Sequence, residues 1–277
     1  MLGAIIGDIV GSRFEFIDHF GKDFVLFARG CRYTDDSLMT LAVANALLVC
    51  KDHSENLGTV ATHCMVDIAH RHPNVGWGGR FYGWLFERQR RLNSFGNGAG
   101  MRISPVGWVA NSEEEVKLLS KKVTEISHDH PEGLKGAECI AMAVYWARTG
   151  KSKEEIRRGA ASYYPRLLDR SFTIQSLMGT YGYDENGDWV TCQGSIPEAL
   201  VAFLDGQNFE DVIRNAVGIG GDSDTIGAMA GSIAEAYYGV SPEMEEKALS
   251  YLPEDLQSIY FAFETIKKRR TERSNQE

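Results

Sequence analysis

Apolar residues along this chain recur at intervals of three and four, the spacing of one helical face, while strand-like alternation is almost absent. The spacing predicts helices over about 57–72, 79–92, 112–125, 133–149, 196–204, 211–218, 225–239 and 254–270. Another follows Ser37, with Leu38, Leu41, Ala42, Asn45, Leu48 and Val49 on its apolar face. Residues 72–79 form a clear loop, and 160–192 is the least regular stretch, a long excursion or pocket rim. An all-α fold is expected. Near the N-terminus Gly3, Gly7 and Gly11 share one helical face. Each glycine lowers helix propensity by about 1 kcal/mol relative to alanine, so a close helix contact must offset it. Small residues return at Gly227, Ala230, Gly231 and Ala234. These two small-residue helices are expected to cross tightly at the centre and to hold what lies at their ends.

What lies there is acidic. Gly220-Gly221-Asp222-Ser223-Asp224-Thr225 runs straight into the second small-residue helix, and Tyr33-Thr34-Asp35-Asp36-Ser37 precedes the helix after Ser37. Residues two apart in a regular helix splay by about 200°, so Asp222 and Asp224 converge only if the turn before the helix is tight. Each cluster alone also suits a helix start, where Asp, Ser and Thr cap free N–H groups. Together they offer more oxygens than capping uses. Thr34, Asp35, Asp36, Asp222, Asp224 and Thr225 read as a cage of six to eight oxygens for two Mg²⁺ or Mn²⁺ ions. Asp35 and Asp222 are far apart in the chain, so the fold must bring the clusters together.

Other candidates are weaker. Phe95-Gly96-Asn97-Gly98-Ala99-Gly100-Met101-Arg102 suits backbone approach to an anion but equally a flexible turn, and it matches neither a dinucleotide fingerprint nor a Walker loop. Glu15, between Phe14 and Phe16, reads most simply as an amphipathic helix end. Around Ser127-His128-Asp129-His130, two histidines suggest a transition metal, yet further ligands are missing and Pro131-Glu132-Gly133 opens the next helix. Trp77, Phe81, Tyr82, Trp84 and Phe86 are expected mostly in the core, the lesser alternative being that one or two line a ligand pocket. Lys267-Lys268-Arg269-Arg270 reads as a frayed, solvated helix end.

The totals narrow the class. Over 277 residues, 43% hydrophobic and 24% charged content is ordinary for a globular chain with a sizeable core. A formal charge of −9 argues against general nucleic-acid binding. Five scattered cysteines without a CxxC pair suggest reduced thiols. No run approaches the ~18–20 apolar residues of a membrane span, and the first residues lack a basic region. A cytoplasmic protein is expected.

In order over about residues 3–239, GAIIGDIVGSRFE, YTDDS, GNGAGMR, SHDHPEG, GSIPEALVAF and GGDSDTIGAMAGSIAEAYYG resemble the ADP-ribosylglycohydrolase family. The resemblance implies one domain over 1–277, a compact multi-helix bundle with a central dimetal cleft and a frayed tail from about 267. It implies metal ligation by the six residues already selected. Glu15 matches the family's mobile active-site glutamate, the Gly96–Arg102 stretch (Gly96, Asn97, Gly98, Gly100, Met101, Arg102) the loop that receives the diphosphate, and Ser127-His128 a segment lining the ADP-ribose cleft. Phe95 is placed against the adenine. The implied substrate is an ADP-ribosylated protein or other ADP-ribose conjugate, cleaved at ribose C1″ through an oxocarbenium-like state. Glu15 is the first candidate to handle the proton and Asp36 the second. Two ions would orient ribose hydroxyls and acidify a water. Arginine linkage is favoured; serine-linked, poly-ADP-ribose and O-acetyl-ADP-ribose substrates are the alternatives, as is a catalytically silent ADP-ribose- or toxin-binding protein. A prenyl-diphosphate enzyme would show DDxxD, whereas the sequence has DDSLM.

Overall fold

The computed structural model describes all residues except 16, 18, 51–53, 88–91, 182–187 and 275–277, with side-chain surroundings up to residue 268. Helices follow in the order α1 (Leu2–Gly11), α2 (Asp35–Cys50), α3 (Leu57–Arg71), α4 (Gly79–Phe86), α5 (Gly98–Met101), α6 (Ser104–Val109), α7 (Glu113–Thr124) and α8 (Pro131–Arg148). The second half adds α9 (Lys153–Ala161), α10 (Ile174–Leu177), α11 (Cys192–Asp205), α12 (Phe209–Gly218), α13 (Ser223–Tyr238), α14 (Pro242–Leu249) and α15 (Glu254–Ser274). Among the described residues there is no strand, only an antiparallel bridge between Gly96 and Thr191. The fold is all-α.

The centre is the crossing of α1 and α13. Every residue of α1 is buried, as is α13 from Ser223 to Glu235. Their glycines meet backbone to backbone: a Cβ on Gly227 would lie 2.7 Å from the carbonyl oxygen of Gly7, and one on Gly11 only 2.5 Å from the Cα and N of Asp224. No side chain separates the two helices there, so their spacing is set by main-chain contact. Helices buried nearly all round (α2, α8, α11) surround this pair, and α7 and α12, with one polar face each, cover the outside.

The structure departs from the expected elements in places. α4 ends at Phe86, and Arg88–Arg91 of the expected 79–92 helix lie outside the described residues. The glycine-rich 96–102 stretch contains the single turn α5, because Gly100 N and Met101 N donate to Asn97 O. α9 is not among the expected helices and lies almost wholly before the irregular part, its start capped reciprocally by Ser152 and Glu155. Lys267, expected at a solvated helix end, instead donates to Glu235 Oε1 (2.5 Å) and lies 4.0 Å over the Trp108 ring. Glu235 is buried on α13 and accepts from Gly3 N (2.8 Å) and the Met1 amino group, and that buried negative charge draws the lysine inward. Among the described residues no helix is long and apolar enough to cross a membrane.

Candidate active site

The turn before α13 is as tight as the Asp222–Asp224 spacing requires. Gly220 and Gly221 both take positive φ (83° and 66°), and a side chain on Gly221 would strike the Tyr181 ring. Asp222 then stands just outside α13 and Asp224 in its first turn, close enough for each carboxyl to shift the other's titration. Asp222 makes no side-chain cap to the helix. It accepts instead from Asn97 Nδ2 at 2.6 Å. Capping therefore does not explain this aspartate. At the other cluster Thr34 does cap, its Oγ1 accepting from Asp36 N at 3.3 Å. The clusters meet directly: Thr225 Oγ1 donates to Asp36 Oδ2 at 3.3 Å across 189 residues of sequence.

Sequence reasoning passed over Asp8. It lies on α1, wholly buried, and its carboxylate accepts from Thr34 N (3.0 Å), Thr34 Oγ1 (2.7 Å), Ser37 N (3.0 Å) and Ser37 Oγ. One carboxylate thus holds both sides of the Thr34–Ser37 corner. Oxygens of Asp8, Asp36 and Asp224 lie within 4.8 Å of one another. The only trace of Asp8 in the sequence is a charge interrupting an apolar helix.

Burial raises the pKa of every carboxyl here, and mutual repulsion adds to it. Asp35, Asp36 and Asp224 are held well above the usual carboxylate range, and Asp222 is raised to about 6. Asp36 Oδ1 is buried without a hydrogen-bond partner among the described residues. Crowded, dehydrated carboxylates with a spare oxygen suit a hard divalent cation, which relieves both strains. The acidic group can therefore bind metal.

A cleft of about 510 Å³ opens over these residues. At the acidic end its wall includes Asp35, Asp36, Asp222, Asp224, Thr225 and Glu15. Glu15 is half-buried, pairs with Arg32 Nη2 at 3.3 Å, and is raised to about 7 by burial and then by the Asp224 charge, against the pull of Arg32. The other end is lined by Gly96, Asn97, Gly98, Met101, Arg102 and His128, with Trp77, Arg80 and Phe81 from the 72–79 loop and the start of α4. Phe81 lies 5.4 Å from Trp84 in a stacked pair, and Arg102 sits over its ring. The bridge to Thr191, with Asn97 N donating to Val190 O at 2.8 Å, fixes the glycine loop and brings Trp189 and Val190 to the rim.

Of the residues selected from sequence, Thr34 and Gly100 lie behind the wall. Thr34 is turned to Asp8, and Gly100 is packed under Met229. Ser127 contacts the cleft only through its bonds to Arg102 and His128. The Phe95 ring is turned to His130 (centroids 5.1 Å apart) and does not line the cleft, because the 95–97 backbone is committed to its pairing with 190–192. Arg80 and Trp189 carried no local signal, while Trp77 and Phe81 are the two of the aromatic group that line the cleft, where tertiary packing puts them beside the glycine loop.

Known proteins bear on this geometry. The ADP-ribosylglycohydrolase family profile matches residues 1–272. ADP-ribosylhydrolase ARH3 of Gallus gallus is 25% identical over 91% of this chain and 88% of its own. ADP-ribosylarginine hydrolase Tri1 of Pseudomonas putida is 28% identical over 89% of this chain and 72% of its own. A solved structure titled as an ADP-ribosylglycohydrolase-related protein complex superposes with a TM-score of 0.66 at 23% identity, covering 96% of this chain and 97% of that one. That likeness concerns the fold. The profile spans almost the whole chain, and the chain belongs to the ADP-ribosylglycohydrolase family of hydrolases.

Proposed function

We propose that the protein removes ADP-ribose from modified protein side chains, arginine-linked above all, by hydrolysing the glycosidic bond at ribose C1″ with two Mg²⁺ or Mn²⁺ ions. The observation that carries this is the polarity of the cleft. Four aspartates and Glu15 gather at one end, while Arg102, Arg80 and a glycine loop gather at the other. ADP-ribose is laid out in the same sense, with an anionic diphosphate and, a ribose away, the scissile carbon.

Asp35, Asp36, Asp222 and Asp224, with Thr34 and Thr225, would hold the ions. When bound, these supply orientation of the ribose hydroxyls and activation of water at neutral pH. The chain's own groups do the rest. The loop 96–98 with His128 receives the diphosphate, with Asn97 tying that loop to Asp222. Glu15, balanced near neutrality between burial and Arg32, can hold a proton for the leaving group and then take one back. Asp36 is the second candidate for that duty. Trp189 and Val190 at the rim shield the bond from bulk water.

Two points favour arginine as the leaving side. Glu15 adds a cleft carboxylate beyond the proposed ligands, which suits an arriving guanidinium, and the Tri1 relative is named for an arginine substrate. The test is a panel of arginine-, serine-, cysteine- and poly-linked conjugates incubated with Mg²⁺ or Mn²⁺, with released ADP-ribose measured by mass spectrometry. Arginine conjugates should be cleaved fastest. Exclusive cleavage of the serine conjugate refutes the arginine preference but keeps the hydrolase. No release, with ADP-ribose still bound, indicates a silent binding protein. Undiminished release after chelation removes the metals from the scheme.

A further inference from the structure

Arg102 has surroundings that binding a substrate does not by itself explain. It is a fully buried cation at the end of α5, and among the described residues no carboxylate pairs with it. Its Nε and Nη1 have no hydrogen-bond partner among the described residues. Its Nη2 donates to Ser127 Oγ at 2.7 Å and reaches His128 Nδ1 at 3.3 Å, while Ser127 Oγ lies 2.9 Å from the same Nδ1. An uncompensated buried charge is expensive, so its partners should reveal its task.

We propose that Arg102 is a positioning residue: through Ser127 it fixes His128 as the neutral tautomer whose Nε2–H points into the glycine loop. One arrangement satisfies both contacts to Nδ1: an Nδ1–H could donate to Ser127 Oγ, but it would then face the Arg102 Nη2 donor 3.3 Å away. A guanidinium can only donate. Ser127 Oγ accepts from it, which leaves the serine hydroxyl hydrogen free to point at Nδ1. Both neighbours of Nδ1 are thus donors, so Nδ1 accepts and the ring proton resides on Nε2. That nitrogen faces the loop: a Cβ on Gly98 would stand 3.2 Å from Nε2, and one on Gly96 3.8 Å. The ring cannot acquire a second proton easily, because burial and then the charges of Arg102 and Arg80 hold its pKa well below the usual value. Phe81, with its centroid 6.0 Å from that of the imidazole, closes the side of the ring.

The consequence is directional. In the fixed tautomer the loop presents an N–H to a phosphate oxygen; in the other it would present a lone pair, which repels one. This role rests on the proposed placement of the diphosphate along Gly96–Gly98, whereas the tautomer itself is a property of the free protein.

Long-range ¹H–¹⁵N correlation on the ¹⁵N-labelled full chain reads the tautomer, with His128→Gln identifying the signals, and calorimetry with ADP-ribose reads affinity. Wild-type protein should show a single Nε2–H form. Arg102→Met should scramble it and weaken ADP-ribose binding ~10–100-fold, the range of one charge-assisted hydrogen bond, raising KM far more than it lowers kcat. Arg102→Lys, which restores a donor, should recover much of both. An Nδ1–H form in the wild type overturns the proposal, and that reading needs no variant to fold. So does an Arg102→Met protein with unchanged tautomer and affinity. A fixed Nε2–H form in a protein that fails to bind ADP-ribose upholds the positioning and refutes the ligand placement instead.

Discussion

Replacing Gly11 by alanine tests whether main-chain contact between α1 and α13 sets the geometry of the acidic centre. The added Cβ would fall 2.5 Å from both the N and the Cα of Asp224, with backbone on every near side and no flexible side chain to yield. Ordinary contact needs about 3.5 Å, so α13 must retreat by roughly 1 Å at the residue that carries one of the proposed ligands. Overpacking of this kind costs about 1–3 kcal/mol. Because Gly11 is the last residue of α1, the gain in helix propensity offsets little of that. A chain of this size should lose about 2–4 °C in Tm per kcal/mol. The catalytic loss should be disproportionate, since a 1 Å misplacement can lower a rate about 100-fold. Melting followed by circular dichroism and ADP-ribose release well below Tm separate the two effects. Wild-type turnover and Tm in Gly11→Ala would falsify the claim that main-chain contact fixes the ligand spacing.

Three further outcomes follow from other parts of the structure. Asp8→Asn keeps the shape but turns an amide nitrogen toward donors on Thr34 and Ser37, so Mn²⁺ affinity measured by calorimetry should fall about 10–100-fold; unchanged affinity would show that Asp8 does not hold that corner. Glu15→Gln should lower kcat by ~10²–10⁴ while ADP-ribose affinity stays close to normal; near-normal turnover passes the proton to Asp36. Glu235 is depressed to about 2 because Lys267 and the Met1 amino group outweigh its burial. Its contribution is present above the unfolded value of about 4.5 and is lost as pH falls toward 2. In Lys267→Met its folded pKa rises, so acid unfolding monitored by circular dichroism should begin at higher pH, and stability at neutral pH should drop by about 3 kcal/mol; an unmoved acid midpoint would contradict this.

The two aspartate clusters were legible because they repeat one design, paired carboxylates beside a hydroxyl at a helix start, and the glycines at 3, 7 and 11 were legible because their period is helical. Asp8 was not. A single acid in an apolar run has no spacing partner, and its four donors come from a segment 26 to 29 residues away. Trp77 and Phe81, in the same wall, read mostly as core because their spacing does not show which face meets the glycine loop. The short helices α5 and α6 escaped notice because glycines weaken the periodic signal, while Asn97, which looked like a turn residue, spends its side chain on Asp222. Lys267 was misplaced because sequence cannot show that Glu235 waits, buried, on another helix.

A cleft charged oppositely at its two ends has a kinetic consequence. On the proposed function both poles grip the part of the substrate that hydrolysis leaves intact, the diphosphate at the glycine loop and His128 and the ribose at the aspartates. The severed side chain takes almost none of those contacts with it. Free ADP-ribose therefore keeps nearly every contact the substrate made, so as it accumulates it competes with fresh substrate for the cleft.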